Sequence, residues 1–241
     1  MEYPEVKHLY KYCAYNTNSL AILINKRIWL AKPTSLNDPL DCKIKFTPPG
    51  INSDAFSEYL KRIDWSTGNR QNDYATFIEG LQKFIEKDIN NFGVFSMSQI
   101  NNNILMWSHY ANQHKGFCIG FVRNNGNLLG DINKTQPVEY ECNYPEVNPL
   151  DEDGNYDYSI FTKMLFTKAK NWEYEREWRL VYNEGDKEEL LPASISTVIF
   201  GLKMRDEHKV TIRNILASQP NIRYQQAIEV ENQFRLNIVD L

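Results

Sequence analysis

Hydrophobic positions along this chain change their period several times, and each change predicts an element. Leu9 to Cys13 reads as a short first strand. Asn16 or Thr17 can cap an apolar helix through Leu20, Leu23 and Ile24. A second strand, Arg27 to Ala31, runs into Pro33-Thr-Ser-Leu-Asn-Asp-Pro39. There two prolines, with side chains of Asn37 and Asp38 that bond their own backbone, predict a rigid turn. Residues 53 to 90 read as two helices. Ser53 caps one whose stripe is Phe56, Tyr59, Leu60 and Ile63, and Asp73 caps another carrying Phe77, Leu81 and Phe84. Trp65 to Asn72 is the polar loop between them.

A third strand, Gly93 to Met97, leads to a helix capped by Asn102 or Asn103. Ile104, Trp107, Ala111 and His114 fall at helical spacing there, and Gly116 is placed to end it with a left-handed residue. Phe117 to Val122 is a buried strand and Asn124-Asn-Gly-Asn127 a turn. Residues 141 to 157 are acidic and rich in Pro, Gly and Asn, which predicts a surface loop or lid. A helix from Tyr158 to Phe166 follows. Later come a strand at Ser196 to Phe200 stopped by Gly201, a helix from about Asp206 to Ala217, and strands near Arg223 to Val230 and Phe234 to Val239. This order predicts one α+β domain over residues 1–241. Its sheet is mixed and mostly antiparallel, with flanking helices and a helical insertion at about 53–90.

The segment Asn171-Trp-Glu-Tyr-Glu-Arg-Glu-Trp-Arg-Leu-Val-Tyr182 carries the most chemical information. Read as a strand, it puts Glu175, Glu177 and Arg179 on one face and Trp178, Leu180 and Tyr182 on the other. Like charges on one strand face repel unless a cation answers them, so the segment is expected to wall a site. The plain alternative is a solvated edge on which Glu173, Glu175 and Glu177 pair with Lys168, Lys170 and Arg176. Glu177 is the best candidate for a special carboxylate because it lies deepest in the strand.

Composition narrows the function classes. With 241 residues, 42% hydrophobic and 24% charged, the chain is an ordered protein with a core of its own. A formal charge of −4 excludes a chain-wide basic footprint for nucleic acid but leaves a local groove open. Cys13, Cys42, Cys118 and Cys142 are scattered, with no Cys-x-x-Cys pair, so no zinc knuckle or disulfide framework is indicated. No signal peptide or bilayer-length apolar run occurs, and the chain reads as cytoplasmic and without membrane partners.

Other motifs are weaker. In Met106-Trp-Ser-His-Tyr110, Trp107 has core spacing, whereas His109 and Tyr110 precede no core run. No nucleophile elbow, Walker loop or Gly-x-Gly-x-x-Gly occurs. His109 and His114 are five apart, a poor metal pair on one helix face, and no metal is expected.

Leu9-Tyr-Lys-Tyr12, Leu36-Asn-Asp-Pro39, Met106 to Ala111, His114 to Phe121 and Trp172-x-x-Glu-x-Glu-Trp-Arg179 together resemble one bacterial family. It is known as domain of unknown function 2971 and is similar to some abortive phage-infection proteins. Its name carries no activity. A more distant similarity is to ADP-ribosyltransferases, especially DNA-modifying toxins. That resemblance implies an ADP-ribosyltransferase-like fold with NAD as co-substrate and a nucleic acid or a protein as acceptor. By order, Lys11 takes the polar position of the first strand between Tyr10 and Tyr12, and Asn37 and Asp38 the Asn-containing turn. Trp107, His109 and Tyr110 fall in the aromatic segment, and Glu177 stands at the catalytic glutamate with Glu175 as its competitor. Arg179 would help hold the substrate.

Two other classes stay open. A metal-dependent nuclease would gather Asp38, Asp41, Glu175 and Glu177 around a divalent ion. A non-catalytic module sensing a nucleotide or a phage protein would keep Asn37, Trp107 and Glu177.

Overall fold

The computed structural model describes all residues, 1–241. In chain order the first elements are β1 (His8–Cys13), α1 (Thr17–Asn25), β2 (Arg27–Leu30), β3 (Lys45–Phe46), α2 (Asp54–Ile63) and α3 (Arg70–Ile89). Then come β4 (Gly93–Ser98), α4 (Ile104–Tyr110), β5 (Phe117–Val122), β6 (Thr135–Pro137), β7 (Glu139–Glu141), β8 (Glu146–Val147) and α5 (Ser159–Phe166). The last are β9 (Thr167–Ala169), β10 (Glu177–Tyr182), β11 (Lys187–Leu190), β12 (Ile195–Phe200), α6 (Asp206–Ile215), β13 (Arg223–Glu229) and β14 (Leu236–Asp240). The fold is α+β, and no helix is long and apolar enough to cross a membrane.

These elements form two compact units: Met1–Ala31, Gly93–Val138 and Asn171–Leu241 in the first, Lys32–Phe92 and Glu139–Lys170 in the second. The first is built on an eight-stranded sheet of order β14-β13-β12-β5-β1-β4-β10-β6. Every neighbouring pair is antiparallel except β12 with β13. Alternation sorts the side chains of its strands onto two faces. Leu9, Phe95, Met97, Ile119, Phe121, Trp178, Leu180 and Val198 share one core, into which α1 puts Leu23 and α6 puts Ile212. Tyr12, Cys118, Ile199 and Ala227 belong to another, closed by Met106, Trp107 and Ala111. Arg123, 1% exposed, donates to the carbonyls of Glu2, Tyr3, Val6 and Leu129 and lies 4.6 Å from the Trp178 ring. It ties the chain start to the sheet.

The helical segment expected at 53–90 belongs to the second unit. Ser53 Oγ accepts from Phe56 N as α2 begins. α3 starts earlier than the sequence reading, because Asn69 rather than Asp73 caps it. Asp73 instead lies in the first turn, where its carboxylate holds Ser66 Oγ at 2.6 Å and Thr67 N at 2.8 Å. The expected loop at 141–157 contributes β8, paired parallel with β3.

Candidate functional site

The acidic segment is not one strand. Residues Lys170–Glu175 coil as a 3-10 turn, Arg176 takes a left-handed φ of 47°, and β10 begins only at Glu177. A non-glycine residue in that region costs energy and persists only where its surroundings fix it. Here Gln99 N donates to Arg176 O at 3.1 Å, and Arg176 N to Glu173 O at 3.2 Å. Glu175 therefore does not share a strand face with Glu177, as the alternation reading required. Nor is β10 a solvated edge: β4 and β6 pair with it on either side, and Glu175 and Glu177 are 3% and 5% exposed. Glu173 is half-buried.

Glu177 and Arg179, two residues apart on β10, point to the same face. Arg179 Nε lies 2.9 Å from Glu177 Oε1 and its Nη2 3.1 Å from Oε2, a bidentate fork on a guanidinium with no exposed surface. The Glu175 carboxylate is held differently. The Tyr110 hydroxyl, at the end of α4, donates to Glu175 Oε1 at 2.6 Å, and the Glu175 carbonyl accepts from Ser98 Oγ, also at 2.6 Å.

α4 is positioned by short-range chemistry. Asn103 Oδ1 accepts from Leu105 N and Met106 N, while its Nδ2 donates to Tyr174 O at 3.2 Å. Trp107 is fully buried, donates Nε1–H to Asn101 O at 2.8 Å and meets the Tyr12 ring edge-on at 5.2 Å. Tyr12 donates to Ile100 O at 3.0 Å, and burial raises its hydroxyl pKa far beyond the usual range. Both are wall rather than contact surface. The helix stops at Tyr110, and Asn112, Gln113 and His114 follow with φ of 46°, 55° and 67°, so His114 does not continue the helical stripe. Gly116 is not left-handed. It is needed because a Cβ there would sit 2.0 Å from Cys13 O.

On β1, Tyr10 is paired with Ser98, which is paired with Glu177, so one row crosses three strands on one face. Tyr10 is half-buried, and burial raises its pKa. Lys11, the next residue, falls on the other side of the pleat. Its ammonium donates to Ser96 O at 2.9 Å and lies 4.7 Å from the Phe95 ring. Burial pushes its pKa down, against the opposing charges of Cys13 and Glu177 and, more weakly, of Cys118 and Glu175. The structure thus brings together Tyr10, Tyr110, Glu175, Glu177 and Arg179, with Trp107 and Tyr12 behind. His109 is exposed at the rim, its ring 6.5 Å from that of Tyr174, which lies 6.0 Å from that of Trp172.

Asn37 and Asp38 belong to the second unit. There Asp38 Oδ1 accepts from Leu40 N at 2.9 Å, and the turn helps line a cavity of about 600 Å³ with Asp41, Phe46, Ile85 and Met164. No group of three or more His, Cys, Asp or Glu side chains is arranged to hold a metal ion. Sequence reasoning missed Ser98, Asn101 and Tyr174. Their signal was weak: a serine at a strand end, one Asn of a run of three, and an aromatic between glutamates.

Residues 106–180 match the family model described as "Protein of unknown function (DUF2971)". This segment runs from α4 to Leu180 and so contains Tyr110, Glu175, Glu177 and Arg179. No curated protein matches the chain, and no solved structure does.

Proposed function

We propose that the chain is an ADP-ribosyltransferase-like enzyme that cleaves NAD and passes ADP-ribose to an acceptor, in phage defence or as a toxin. The observation that carries the reading is the pair of buried carboxylates, Glu175 just before β10 and Glu177 at its start, held by Tyr110 and Arg179 respectively. The bond from the ribose C1′ to the nicotinamide nitrogen breaks, and its electron pair stays with the ring, which leaves neutral. Positive charge develops at C1′ and its ring oxygen, where the Glu177 carboxylate stabilises it. The acceptor adds at C1′ and gives its proton to Glu175, whose orientation Tyr110 sets. Arg179 holds Glu177 in one rotamer and acts as a positioning residue. Lys11, committed to Ser96 O, tunes the field beneath the site.

A non-catalytic nucleotide-sensing module is the second reading. It is favoured by the fork of Arg179, which occupies both oxygens of Glu177. Incubating the full chain with NAD, alone and with DNA or protein acceptors, and measuring free nicotinamide separates the two. The enzyme reading expects release, and the module expects NAD to be bound and recovered intact.

A further inference from the structure

The row through Glu177 continues across the sheet. Arg223 on β13 is paired with Thr197, Thr197 with Gly120, Gly120 with Tyr10, Tyr10 with Ser98 and Ser98 with Glu177. Directly paired residues share a face, so all six stand on the face that carries the candidate site.

Gly120 has a specific consequence. A Cβ there would lie 3.1 Å from Tyr10 Cε1 and 3.3 Å from Thr197 Cβ. Without it the Tyr10 ring lies flat against β5, and the His8 ring stacks alongside at 6.3 Å. Both rings remain half exposed. Beyond them stands Arg223, exposed and in no ion pair, in a chain whose net charge is −4. On the neighbouring strand Asp240, opposite Gln225, accepts from Gln225 Nε2 at 2.8 Å, and Leu241 N donates to Tyr224 O at 3.0 Å. Arg223 shares the sheet face of both rings, three strands from Tyr10. It lowers the His8 pKa, which burial has already lowered, and pulls down on Tyr10, which burial raises overall.

An exposed guanidinium on one face with a stacked imidazole and phenol ring suits a phosphate group attached to a flat base. We infer that Arg223, His8 and Tyr10 form an anion-binding shelf that takes the diphosphate of a nucleotide. Adjacent strands lie about 4.8 Å apart, so the row from Gly120 to Glu177 spans about 14 Å. A dinucleotide whose diphosphate rests over β5 can direct its ribose toward β10. The choice of NAD as the carrier rests on the proposed function, whereas the anion shelf stands on the sheet face alone.

The test uses the full chain with ADP, inorganic pyrophosphate and adenosine as probes, and follows the His8 imidazole by NMR. ADP and pyrophosphate should bind and raise the His8 pKa, because a bound anion favours imidazolium, and adenosine should do neither. Arg223→Gln should weaken ADP binding at least tenfold and abolish the His8 shift, with the fold unchanged because the side chain is exposed. Arg223→Lys should restore part of both. ADP binding that leaves His8 unmoved, or that Arg223→Gln does not weaken, overturns the shelf. Arg223-dependent binding of a single-stranded oligonucleotide without binding of ADP overturns it as well. Arg223-dependent ADP binding without nicotinamide release leaves the shelf standing and removes only the transferase reading. Nicotinamide release with a KM for NAD unchanged in Arg223→Gln removes only the shelf.

Discussion

Glu177→Gln tests the buried fork at the centre of the site. The side chain keeps its shape, but the carboxamide keeps one acceptor oxygen and replaces the other with a donor facing the Arg179 N–H groups. Arg179, with no exposed surface, then holds its charge without the carboxylate. Removing one partner of a buried ion pair costs about 3–5 kcal/mol. The retained acceptor puts Glu177→Gln near the lower end, about 3 kcal/mol, against a total stability of about 5–15 kcal/mol for a typical domain. Urea unfolding followed by circular dichroism measures this directly. Arg179→Met in the Glu177→Gln background should cost less than the two single substitutions added together, since both remove the same fork. A Glu177→Gln variant within about 0.5 kcal/mol of the parent would refute the fork as the reason both groups are buried.

Tyr110→Phe deletes a 2.6 Å bond to a carboxylate and should cost about 1.5–3 kcal/mol in the same assay. Gly116→Ala forces a Cβ onto the Cys13 carbonyl and should cost about 3 kcal/mol, lowering Tm by about 6–12 °C in a thermal scan. Burial, and secondarily Lys203, lower the His114 pKa below 6.5, so the unfolded chain binds that proton more readily. Its contribution to stability is therefore present above pH 6.5 and lost as pH falls from 6.5 through the folded value. His114→Gln should flatten the dependence of Tm on pH in that window.

Local rules read well where one residue decides the outcome. Ser53 and Asn103 cap the helices assigned to them, and Phe117–Val122 is buried as its unbroken apolar run suggests. They read poorly where two local signals compete. Asn69 starts α3 because Asp73 is occupied by Ser66 and Thr67. The left-handed Asn112, Gln113 and His114 break a stripe whose spacing was helical, and the left-handed Arg176 moves Glu175 off the strand. Strands of two to four residues such as β3, β6 and β11 have too few positions to show a period. The candidate site was legible as a carboxylate pair with Tyr10 and Tyr110. That Tyr10, Ser98 and Glu177 form one row depends on pairings 88 and 79 residues apart, which no local pattern encodes.

The most direct test of the proposed activity is nicotinamide release from NAD by three variants, assayed well below their unfolding temperatures. Glu177→Gln should lower the rate by about a hundredfold or more, the loss expected for one charge interaction in a dry site. Glu175→Gln should lower it by a smaller factor by impairing proton removal from the acceptor, and Glu173→Gln should leave it within a few-fold of the parent. Equal rates across the three variants, or no nicotinamide release by the parent chain with any acceptor, would contradict the account.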